Sequence, residues 1–508
     1  MSFEVEHRAS KGSDRVRAVA PHVKVRDDGS ALLTGWGRTA PSRAAVVGIA
    51  PRADALTFIE QSCPERGGAS SRARGVIARG LGRAYNDSAQ NAGGVVAILD
   101  DAGAEIAIDP GTGLASVRAG TSLGQLIEAA VPLGWFVPIS PGTRHVTMGG
   151  AIAADAHGKN HHRLGSIGSH VASIELDSPS GARHLTPDSS SAETVSEFWA
   201  TVGGMGLTGV IRAATLQLIP VETRLMRVDT HRVANLDDLL ALLAEDESHY
   251  SVAWVDALAR GASLGRAVVT SGDHATRLDL PSGAVDDGRP YSFAKAVPLP
   301  HFAVNSVRPS VTRAFNELWF RKAPRRRVGE LQSIASYFHP LDGLANWNRL
   351  YGRAGFLQWQ CVVPLGAERV VQRVLERFSN EGLAAPVVVL KRLGAASLGP
   401  LSFAMPGWTL SVDVAAGANG APELLDELDE AVVNAHGRLY LAKDSRMRAV
   451  HLSAMYPRLE EWRAVRDALD PNQVMQSDLA RRLDLCGRVD HTRAQGLRGL
   501  DRALGVPK

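Results

Sequence analysis

Short apolar runs separated by glycine turns dominate the first 220 residues of the chain. VVAIL (residues 95–99) and ASVRAG (residues 115–120) have the length and composition of β-strands. Ser122 then begins a helical pattern in which apolar residues recur at every third or fourth position. Gln125 completes a capping box with Ser122, and Gly134 ends the pattern. This half of the chain is therefore predicted to combine short strands with a few helices.

From about Glu222 the pattern changes to longer strands and amphipathic helices. Further strands are predicted at FLQWQCVV, VVVLKRL, WTLSVDV and RLYLAK, which are residues 356–363, 387–393, 408–414 and 438–443. A helix from Pro422 carries Leu425, Leu428 and Val432 on one face and ends near Gly437. Several prolines between Leu280 and Ala314 predict a long mobile loop.

Composition narrows the class of protein. With 508 residues the chain is long enough for two or three domains, and its net charge of +3 is too small to indicate a nucleic-acid partner. A tight basic cluster at Arg321, Lys322 and residues 325–327 is interpreted as a solvated loop, with a contact to anionic lipid or phosphate as the alternative. The three cysteines share no spacing motif, so neither disulfides nor a cysteine metal site is predicted, which suits a reducing compartment.

The ends of the chain bear on its location. The first 17 residues are charged and lack an apolar centre, so no signal peptide is predicted. No run of eighteen uninterrupted apolar residues occurs, so no membrane-spanning helix is predicted either. We expect a cytoplasmic protein or one held peripherally at the plasma membrane.

One motif suggests a dinucleotide-binding fold but lacks its context. Gly204, Gly206 and Gly209 fit the pattern G-x-G-x-x-G, which binds a pyrophosphate only when a strand precedes it and a helix follows. Here residues 197–203 have a helical pattern, and residues 210–219 alternate like a strand. The order is reversed, so a Rossmann domain is not predicted.

Two glycine-rich segments are better candidates for a ligand site. In residues 76–94 an apolar run ends in Arg79-Gly80-Leu81-Gly82-Arg83, whose amides and arginines could hold phosphate, although a plain glycine turn explains it equally well. Residues 139–171 contain two small-residue turns followed by three histidines. His157, His161 and His162 suggest zinc, but Gly158 and Asn160 lie among them and no acidic partner is near, so no metal is predicted.

Taken in order, these motifs resemble the flavin domain of the vanillyl-alcohol-oxidase type. The resemblance covers residues 40 to 486, and within the family it is strongest to the oxidases of polyprenylphosphoryl ribose. It is carried by R-G-x-G-R-x-Y, P-G-T, V-T-x-G-G-A-I-A-x-D-x-H-G-K-N-H-H, G-L-T-G-V-I, F-H-P-L-D, W-N-R, A-G-F-L-Q-W-Q, P-G-W, Y-L-A-K-D-S-R and A-M-Y-P-R.

The resemblance implies an α+β fold in which a two-part FAD-binding domain surrounds a substrate domain built on an antiparallel sheet. The expected divisions are a polar N-terminal arm at 1–30, the FAD-binding domain at 31–221 and the substrate domain at 222–436. A C-terminal segment at 437–488 would complete the FAD domain, and a tail, helical or not, would occupy 489–508.

The resemblance also implies which residues contact FAD. They are Arg79, Gly80, Leu81, Gly82, Arg83, Ala84, Tyr85, Asn86, Asp87, Gly142, Thr147, Met148, Gly149, Gly150, His157, Gly206, Gly209, Val210 and Tyr440. Many relatives bind flavin covalently through a histidine two residues after the position of Leu81. That position is Arg83 here, so the resemblance implies non-covalent FAD.

Strand parity indicates where a substrate could bind. Gln358 and Gln360 share one strand face, and Thr409, Ser411 and Asp413 share another. Such polar faces are commonly solvated, but the resemblance favours the roof of a cavity. It adds Lys159, Lys391 and Lys443 to the substrate-binding set. Lys443 is the expected base or hydroxyl-polarising group, with a role as substrate or flavin anchor as the alternative, and His157 is expected to position reactants rather than transfer protons.

The expected reaction is oxidation of the 2′-hydroxyl of a polyprenylphosphoryl ribose to the 2′-keto compound, for cell-wall synthesis. A separate NAD(P)H-dependent keto-reductase would then complete epimerisation to the arabinose form. The alternatives are an oxygen-using aldonolactone or alditol oxidase and a flavoprotein that has lost turnover. Two departures from close relatives are Ser411, where they carry a cysteine that covalent inhibitors exploit, and Phe338, where a tyrosine is expected.

Overall fold

The structure, a computed structural model, describes residues 23–49, 74–99, 106–281, 291–300 and 305–487. The predicted tail at 489–508 and most of the predicted N-terminal arm lie outside these residues. Within the arm, Val23 and Val25 are buried in the main hydrophobic core. The chain therefore joins the core several residues before the expected end of the arm.

Two sheets form the first part of the molecule. The first is a four-stranded sheet in the order β1-β2-β4-β3, in which β2, β4 and β3 are parallel and β1 is antiparallel to β2. The second is a five-stranded antiparallel sheet in the order β5-β6-β10-β8-β9. Their strands are β1 Ser30–Leu33, β2 Ser42–Ile49, β3 Val76–Arg79, β4 Val95–Leu99, β5 Ala107–Ile108, β6 Leu114–Arg118, β8 Val171–Ser178, β9 Gly181–Leu185 and β10 Val210–Gln217. Two short strands, β7 Trp135–Phe136 and β11 Ile219–Pro220, pair with each other.

A larger antiparallel sheet follows, with eight strands in the order β16-β12-β14-β13-β19-β20-β18-β21. These strands are β12 Leu225–Val233, β13 Tyr250–Val255, β14 Ala267–His274, β16 Arg326–Ser333, β18 Phe356–Pro364, β19 Val388–Leu393, β20 Gly407–Ala415 and β21 Arg438–Leu439. A separate parallel pair joins β15 Val297–Pro298 to β17 Leu344–Ala345. The α+β class expected from the sequence is confirmed.

The helices lie between and against these sheets. They are α1 Leu123–Ala130, α2 Met148–Ala153, α3 His161–Leu164, α4 Ala192–Thr201, α5 Leu236–Glu245, α6 Pro309–Lys322, α7 Ile334–Phe338, α8 Glu368–Glu381, α9 Ala421–Asn434, α10 Leu452–Met455, α11 Leu459–Leu469 and α12 Asp478–Leu483. Short 3-10 turns include Pro340–Gly343 and Trp347–Tyr351. Within the part of the chain that the structure describes, no helix is long and apolar enough to cross a membrane.

Locally encoded elements agree with the sequence. Ser122 caps α1, and its side chain and that of Gln125 form the predicted capping box. Gly134 adopts φ 79° at the end of the following 3-10 turn, a left-handed conformation that favours glycine. Helix α4 precedes the G-x-G-x-x-G motif and strand β10 follows it, which is the reversed order that argued against a Rossmann domain.

Three expectations are corrected. The strand predicted at 438–443 is only two residues long, because Tyr440 leaves the sheet and residues 441–443 form a turn. The loop predicted to reach Ala314 ends earlier, since α6 begins at Pro309, where proline suits the first helical turn. The basic cluster is not a loop: Arg321 and Lys322 end α6, and Arg326 begins β16.

Helices cover one face of the eight-stranded sheet and leave the other for a site. On β20, Trp408, Leu410 and Val412 are buried in the main core, which also contains the apolar faces of α8 and α9. The alternate residues of β20 and β18 must therefore point the other way. Burial on both faces explains why every residue of β20 is buried.

The C-terminal segment packs on the first part of the molecule. Trp462 of α11 donates a hydrogen bond to the carbonyl of Ala200 in α4, and Met475 forms a parallel bridge with Val76 of β3. The pair Arg466–Asp470 is fully buried at 2.8 Å, and Asp470 also accepts the backbone amides of Val474 and Met475. Residues at opposite ends of the chain thus share one core.

Candidate active site

A cavity of about 550 Å³ lies between the glycine-rich loops of the first part and the open face of the eight-stranded sheet. This volume is within the range typical of ligand pockets. Of the residues expected to contact FAD, those that line it are Arg79, Gly80, Leu81, Gly82, Arg83, Ala84, Tyr85, Gly142, Thr147, Gly149, Gly150, His157, Gly206, Gly209 and Tyr440. Of the expected substrate and catalytic residues, the cavity is lined by Gln358, Gln360, Lys391, Ser411 and Lys443.

The loop after β3 is pressed against the start of α2. A Cβ on Gly80 would lie 2.2 Å from Oγ1 of Thr147, and Gly82 adopts φ +65°. Arg79 is buried and donates hydrogen bonds to the carbonyls of Thr34 and Ala89, so it holds the loop in place from behind. Only glycine fits this close approach, which explains the glycine spacing of the motif.

Arg83, the residue for which the family resemblance implies non-covalent FAD, lies against an aromatic ring. Its guanidinium carbon lies 4.0 Å from the centre of the Trp36 ring, a cation–π contact. Burial lowers the pKa of Arg83, and the charge of Asp342 opposes this effect. Its Nε atom is buried without a hydrogen-bond partner among the described residues.

Trp36 is a wall residue that sequence reasoning missed. The segment Gly35-Trp36-Gly37 runs between the loop after β3 and strand β18, because its backbone bonds to Ala84 and Tyr85 on one side and to Phe356 on the other. A Cβ on Gly35 would lie 2.3 Å from the Asn86 carbonyl oxygen. The G-W-G triplet was the sequence signal that could have identified Trp36, because glycines on both sides of a large side chain indicate close backbone packing.

Asp342 and Trp347 also line the cavity without having been assigned a role. Asp342 accepts hydrogen bonds from the Thr143 hydroxyl at 2.7 Å and the Arg144 amide at 2.9 Å. Asp342 belongs to the motif H-P-L-D and Trp347 to the motif W-N-R. Their presence in these motifs was the sequence signal that could have identified them.

Four expected cofactor residues lie behind the cavity wall rather than in it: Asn86, Asp87, Met148 and Val210. Asn86 donates hydrogen bonds to the carbonyls of Leu441 and Asp444, both at 2.5 Å. Asp87 pairs with Arg482, which also bonds Asp444 at 2.9 Å. These contacts join the loop after β3 to the turn that carries Lys443.

Three lysines approach the cavity from different elements. Burial lowers the pKa of Lys391, on β19, to about 8. Burial and the charge of Lys391 lower the pKa of Lys443 to about 7, while Asp413 opposes this effect. The pKa of Lys159 is lowered to about 7 by the same two causes. Mutual repulsion in a poorly solvated site therefore favours binding of an anion.

Lys159 and Asp413 lie behind the wall. The Lys159 ammonium donates to the carbonyl of Tyr337 and lies 4.1 Å from that residue's ring centre. Asp413 accepts a hydrogen bond from the Gln358 amide, and burial raises the pKa of its carboxyl group to about 7. Lys159 therefore acts on the cavity through its charge, and Asp413 acts through its charge and through Gln358, which lines the cavity.

Phe338, where a tyrosine was expected, packs against Phe136 and Tyr250 in a second core.

His157 has its orientation fixed by strand β18. The Gln360 amide nitrogen lies 3.0 Å from Nε2 of His157 and 2.8 Å from the Thr409 hydroxyl. Because Thr409 donates in turn to the Cys361 carbonyl, Gln360 is the donor in both bonds. The proton of the neutral imidazole is thereby assigned to Nδ1, which is buried without a partner among the described residues. Burial and the charge of Lys391 hold the pKa of His157 well below its usual range.

The three histidines that suggested zinc have separate partners. His161 accepts the amide of Gly394, and His162 contacts the carbonyl of Ser248. In the residues that the structure describes, no group of three His, Cys, Asp or Glu side chains is placed to hold a metal ion.

Comparison with known proteins identifies the family. An FAD binding domain model matches residues 69–186, and a D-arabinono-1,4-lactone oxidase model matches residues 401–483. The chain is 42% identical over 458 residues to decaprenylphosphoryl-β-D-ribose oxidase of Mycolicibacterium smegmatis, covering 89% of this chain and 97% of that protein. The chain belongs to the decaprenylphosphoryl-β-D-ribose oxidase family.

Two further relatives say less about the function of this protein, because one is uncharacterized and the other is more distant. An uncharacterized protein of Streptomyces coelicolor is 43% identical over 72% of this chain and all of its own length. L-gulonolactone oxidase 2 of Arabidopsis thaliana is 24% identical over 46% of this chain and 37% of its own length. The FAD binding domain and the membership of the oxidase family together show that this protein is an FAD-dependent oxidoreductase.

The cavity of this oxidase family member fits FAD. Its floor is built from glycines that allow close backbone approach, and a Cβ on Gly142 would meet nothing within 4 Å. Polar atoms without partners among the described residues, Nε of Arg83, Nδ1 of His157 and Oε1 of Gln360, belong to residues that line it. Such orphaned groups need a ligand or solvent to satisfy them.

Proposed function

We propose that this protein oxidises the 2′-hydroxyl of a polyprenylphosphoryl-β-D-ribose to the 2′-keto compound. The supporting observation is the set of three half-buried lysines, Lys159, Lys391 and Lys443, around a cavity that fits FAD. A substrate with a phosphate group would offset the positive charge of Lys391 and Lys159, whereas a free sugar would not. The name of the M. smegmatis relative supplies the substrate class.

Lys443 is suited to take the hydroxyl proton. With a pKa of about 7, a substantial fraction of its amine is neutral near neutral pH and can accept a proton. Bound FAD would supply the two-electron acceptor for the hydride that leaves the carbinol carbon. The carboxylate charge of Asp413 stabilises the protonated amine of Lys443, and the hydrogen bond from Gln358 orients that carboxylate.

The other lysines and His157 position the substrate. Lys391 lines the cavity and, when charged, would pair with the phosphate, and Lys159 adds positive charge from behind the wall. His157 presents the Nδ1–H group as a fixed donor, and its low pKa keeps it neutral and unsuited to carry a proton. The alternative role for Lys443 is to anchor the phosphate itself.

FAD is proposed to bind without a covalent bond. The side chain at the covalent position is Arg83, whose guanidinium stacks on Trp36 and is a poor nucleophile. Acid precipitation of the holoprotein should leave the flavin in the supernatant. Flavin that stays with the precipitated chain would contradict this assignment.

Epimerisation would require a second enzyme. Oxidation at C2′ leaves a ketone, and a separate NAD(P)H-dependent keto-reductase would reduce it from the opposite face to give the arabinose configuration. The prenyl chain of the substrate implies that the protein works in peripheral contact with a membrane.

A second candidate is an aldonolactone or alditol oxidase. It is favoured by the D-arabinono-1,4-lactone oxidase model over residues 401–483 and by the distant gulonolactone oxidases. Such an enzyme would oxidise soluble sugars and release peroxide.

The test is the visible spectrum of the anaerobic holoprotein before and after addition of a short-chain prenylphosphoryl ribose. Bleaching of the oxidised flavin band by this compound, without bleaching by L-gulonolactone or a free alditol, is expected. Bleaching by the soluble sugars alone would favour the second candidate. A purified protein without any flavin band would overturn both.

A further inference from the structure

Helix α6 turns its apolar side toward solvent. Val311, Phe315, Leu318 and Trp319 are exposed by 55%, 44%, 68% and 44%, and their spacing places them on one face of the helix. The rings of Phe315 and Trp319 stack on each other at 6.1 Å. Helices of globular proteins normally face the core with such a stripe.

The side of α6 that faces the protein is polar instead. Asn316 is fully buried and donates to the Asp256 carboxylate at 2.6 Å. Glu317 pairs with Arg266 at 2.8 Å, and Arg266 also bonds Asp256. Arg232 reaches the carbonyl of Phe320 at 3.4 Å. These contacts fix the rotation of the helix, so the outward direction of the apolar stripe is built in.

Positive charge surrounds this stripe. Between residues 308 and 330 the chain carries seven arginines or lysines and only two carboxylates, although the net charge of the whole chain is +3. The cationic residues are Arg308, Arg313, Arg321, Lys322, Arg325, Arg326 and Arg327. Both carboxylates are already paired: Glu317 bonds Arg266 and Arg321, and Glu330 bonds Arg327. Val328 in the same segment is exposed by 58%.

We propose that α6 and the start of β16, residues 308–328, dock on the surface of an anionic lipid bilayer. The aromatic and aliphatic stripe would enter the headgroup boundary, and the arginines would contact lipid phosphates. A helix of 14 residues is about 21 Å long, too short to span the bilayer, so it lies in the plane of the surface.

The choice of a bilayer rests on the proposed function, because a prenyl-linked substrate resides in a membrane. The helix is also close to the site along the chain. It begins two residues after Val307, whose side chain packs in one cluster with Trp347 of the cavity wall. Docking through α6 would therefore hold the cavity near the lipid surface from which its substrate comes.

Charge argues against a second copy of the chain as the occupant. A symmetric dimer through this surface would bring two strongly cationic segments together, which is electrostatically unfavourable. An anionic surface removes that repulsion and supplies the counter-charge. Each arginine or lysine near such a surface strengthens binding several-fold, so removing three of them should weaken it by more than about tenfold.

The experiment is sedimentation of the holoprotein with vesicles of phosphatidylcholine alone or mixed with phosphatidylglycerol, without substrate. Binding to the mixed vesicles, weakened by more than about tenfold in the double variant Leu318→Asp/Trp319→Asp and by high salt, is expected. The matched control Leu398→Asp/Val450→Asp changes two exposed apolar residues elsewhere, 61% and 71% exposed, and should bind as the native chain does. Substituting Arg325, Arg326 and Arg327 by Gln should also weaken binding.

Absence of binding to mixed vesicles, or equal binding by the α6 variant and the native chain, would overturn the proposal. A native dimer that the α6 variant converts to a monomer would also overturn it, in favour of a second copy. Flavin bleaching by a short-chain soluble substrate, measured without vesicles, reports the proposed reaction separately. The α6 variants should retain this bleaching, so failure of the reaction and failure of docking are distinguishable.

Discussion

The amide nitrogen of Gln360 lies 3.0 Å from Nε2 of His157, although 203 residues separate them in the chain. This bond joins the open face of the eight-stranded sheet to the glycine-rich segment after α2. It also decides which imidazole nitrogen carries the proton, because Gln360 can only donate here. The contact thus helps to align the two halves of the site, together with the bonds from Asn86 to the turn of Lys443.

Replacing Gln360 with Leu should lower kcat by about 10- to 100-fold, since His157 would lose its fixed tautomer and orientation. Steady-state kinetics with a short-chain prenylphosphoryl ribose provide the measurement, with flavin content checked by absorbance. Gln372→Leu, on the exposed side of α8, is the control and should leave kcat unchanged. Native kcat in the Gln360 variant would show that the contact is only structural.

The pH dependence of kcat/KM should distinguish the two roles of Lys443. A base must be deprotonated, so activity should rise as the pH increases through about 7, the pKa of Lys443. It should fall again above about 8, where Lys391 loses the charge that binds phosphate. Lys443→Met should abolish the acidic limb along with most activity. A rate that instead falls through pH 7 would assign Lys443 as an anchor if Lys443→Met removes the fall and Lys159→Met, which changes the other lysine with a pKa of about 7, does not.

Arg482→Gln should destabilise the protein by about 3 kcal/mol, because Asp87 and Asp444 would remain largely buried without their partner. Burial alone would lower the pKa of Arg482, but Asp444 and Asp87 outweigh it and raise the pKa, as a strong pairing requires. Urea unfolding measures the change. The exposed pair Arg373–Glu427 supplies the control, and Arg373→Gln should cost less than about 1 kcal/mol.

If Arg482→Gln and Arg373→Gln lowered the free energy of unfolding equally, the ion pairs of Arg482 with Asp87 and Asp444 would not be important for stability. Loss of FAD from the Arg482 variant on gel filtration is also expected, since these ion pairs, with the bonds of Asn86, hold the loop after β3 against the turn of Lys443.

Ser411→Cys should introduce a modifiable thiol into the cavity wall. Covalent inhibitors that exploit a cysteine at this position should leave the native chain unmodified and add one equivalent to the variant, as intact mass measures. The described native cysteines, Cys361 and Cys486, are buried and have raised pKa values, so they should not react. Inhibitor addition to the native chain at Ser411 would contradict this prediction. Turnover should persist in both forms, because hydride transfer does not need the thiol.

Short-range patterns predicted the elements that depend on neighbouring residues. Ser122 and Gln125 identified the start of α1, because a capping box needs only residues three apart. Parity placed Gln358 with Gln360 and Ser411 with Asp413, because alternation is a property of any strand. Resemblance of motifs then indicated that these faces look into a flavin cavity rather than into solvent.

Long-range packing decided the rest. Trp36 became a cavity wall only because its flanking glycines allow the segment between two other elements. Tyr440 left the sheet after two residues of β21, and this turn delivered Lys443 to the cavity. From its spacing alone, the apolar stripe of α6 would be assigned to the core. The buried Asn316–Asp256 bond shows that the polar side of the helix faces the protein instead.

By itself, the sequence determined several of the strands, the cap of α1 and the chemical identity of the site residues, since these follow from local backbone geometry and side-chain type. Only the tertiary structure decided that Lys159, Lys391 and Lys443 share one poorly solvated region and that their pKa values fall toward neutrality. Desolvation and charge repulsion depend on distances between residues that are far apart in the sequence, and these distances exist only in the folded chain.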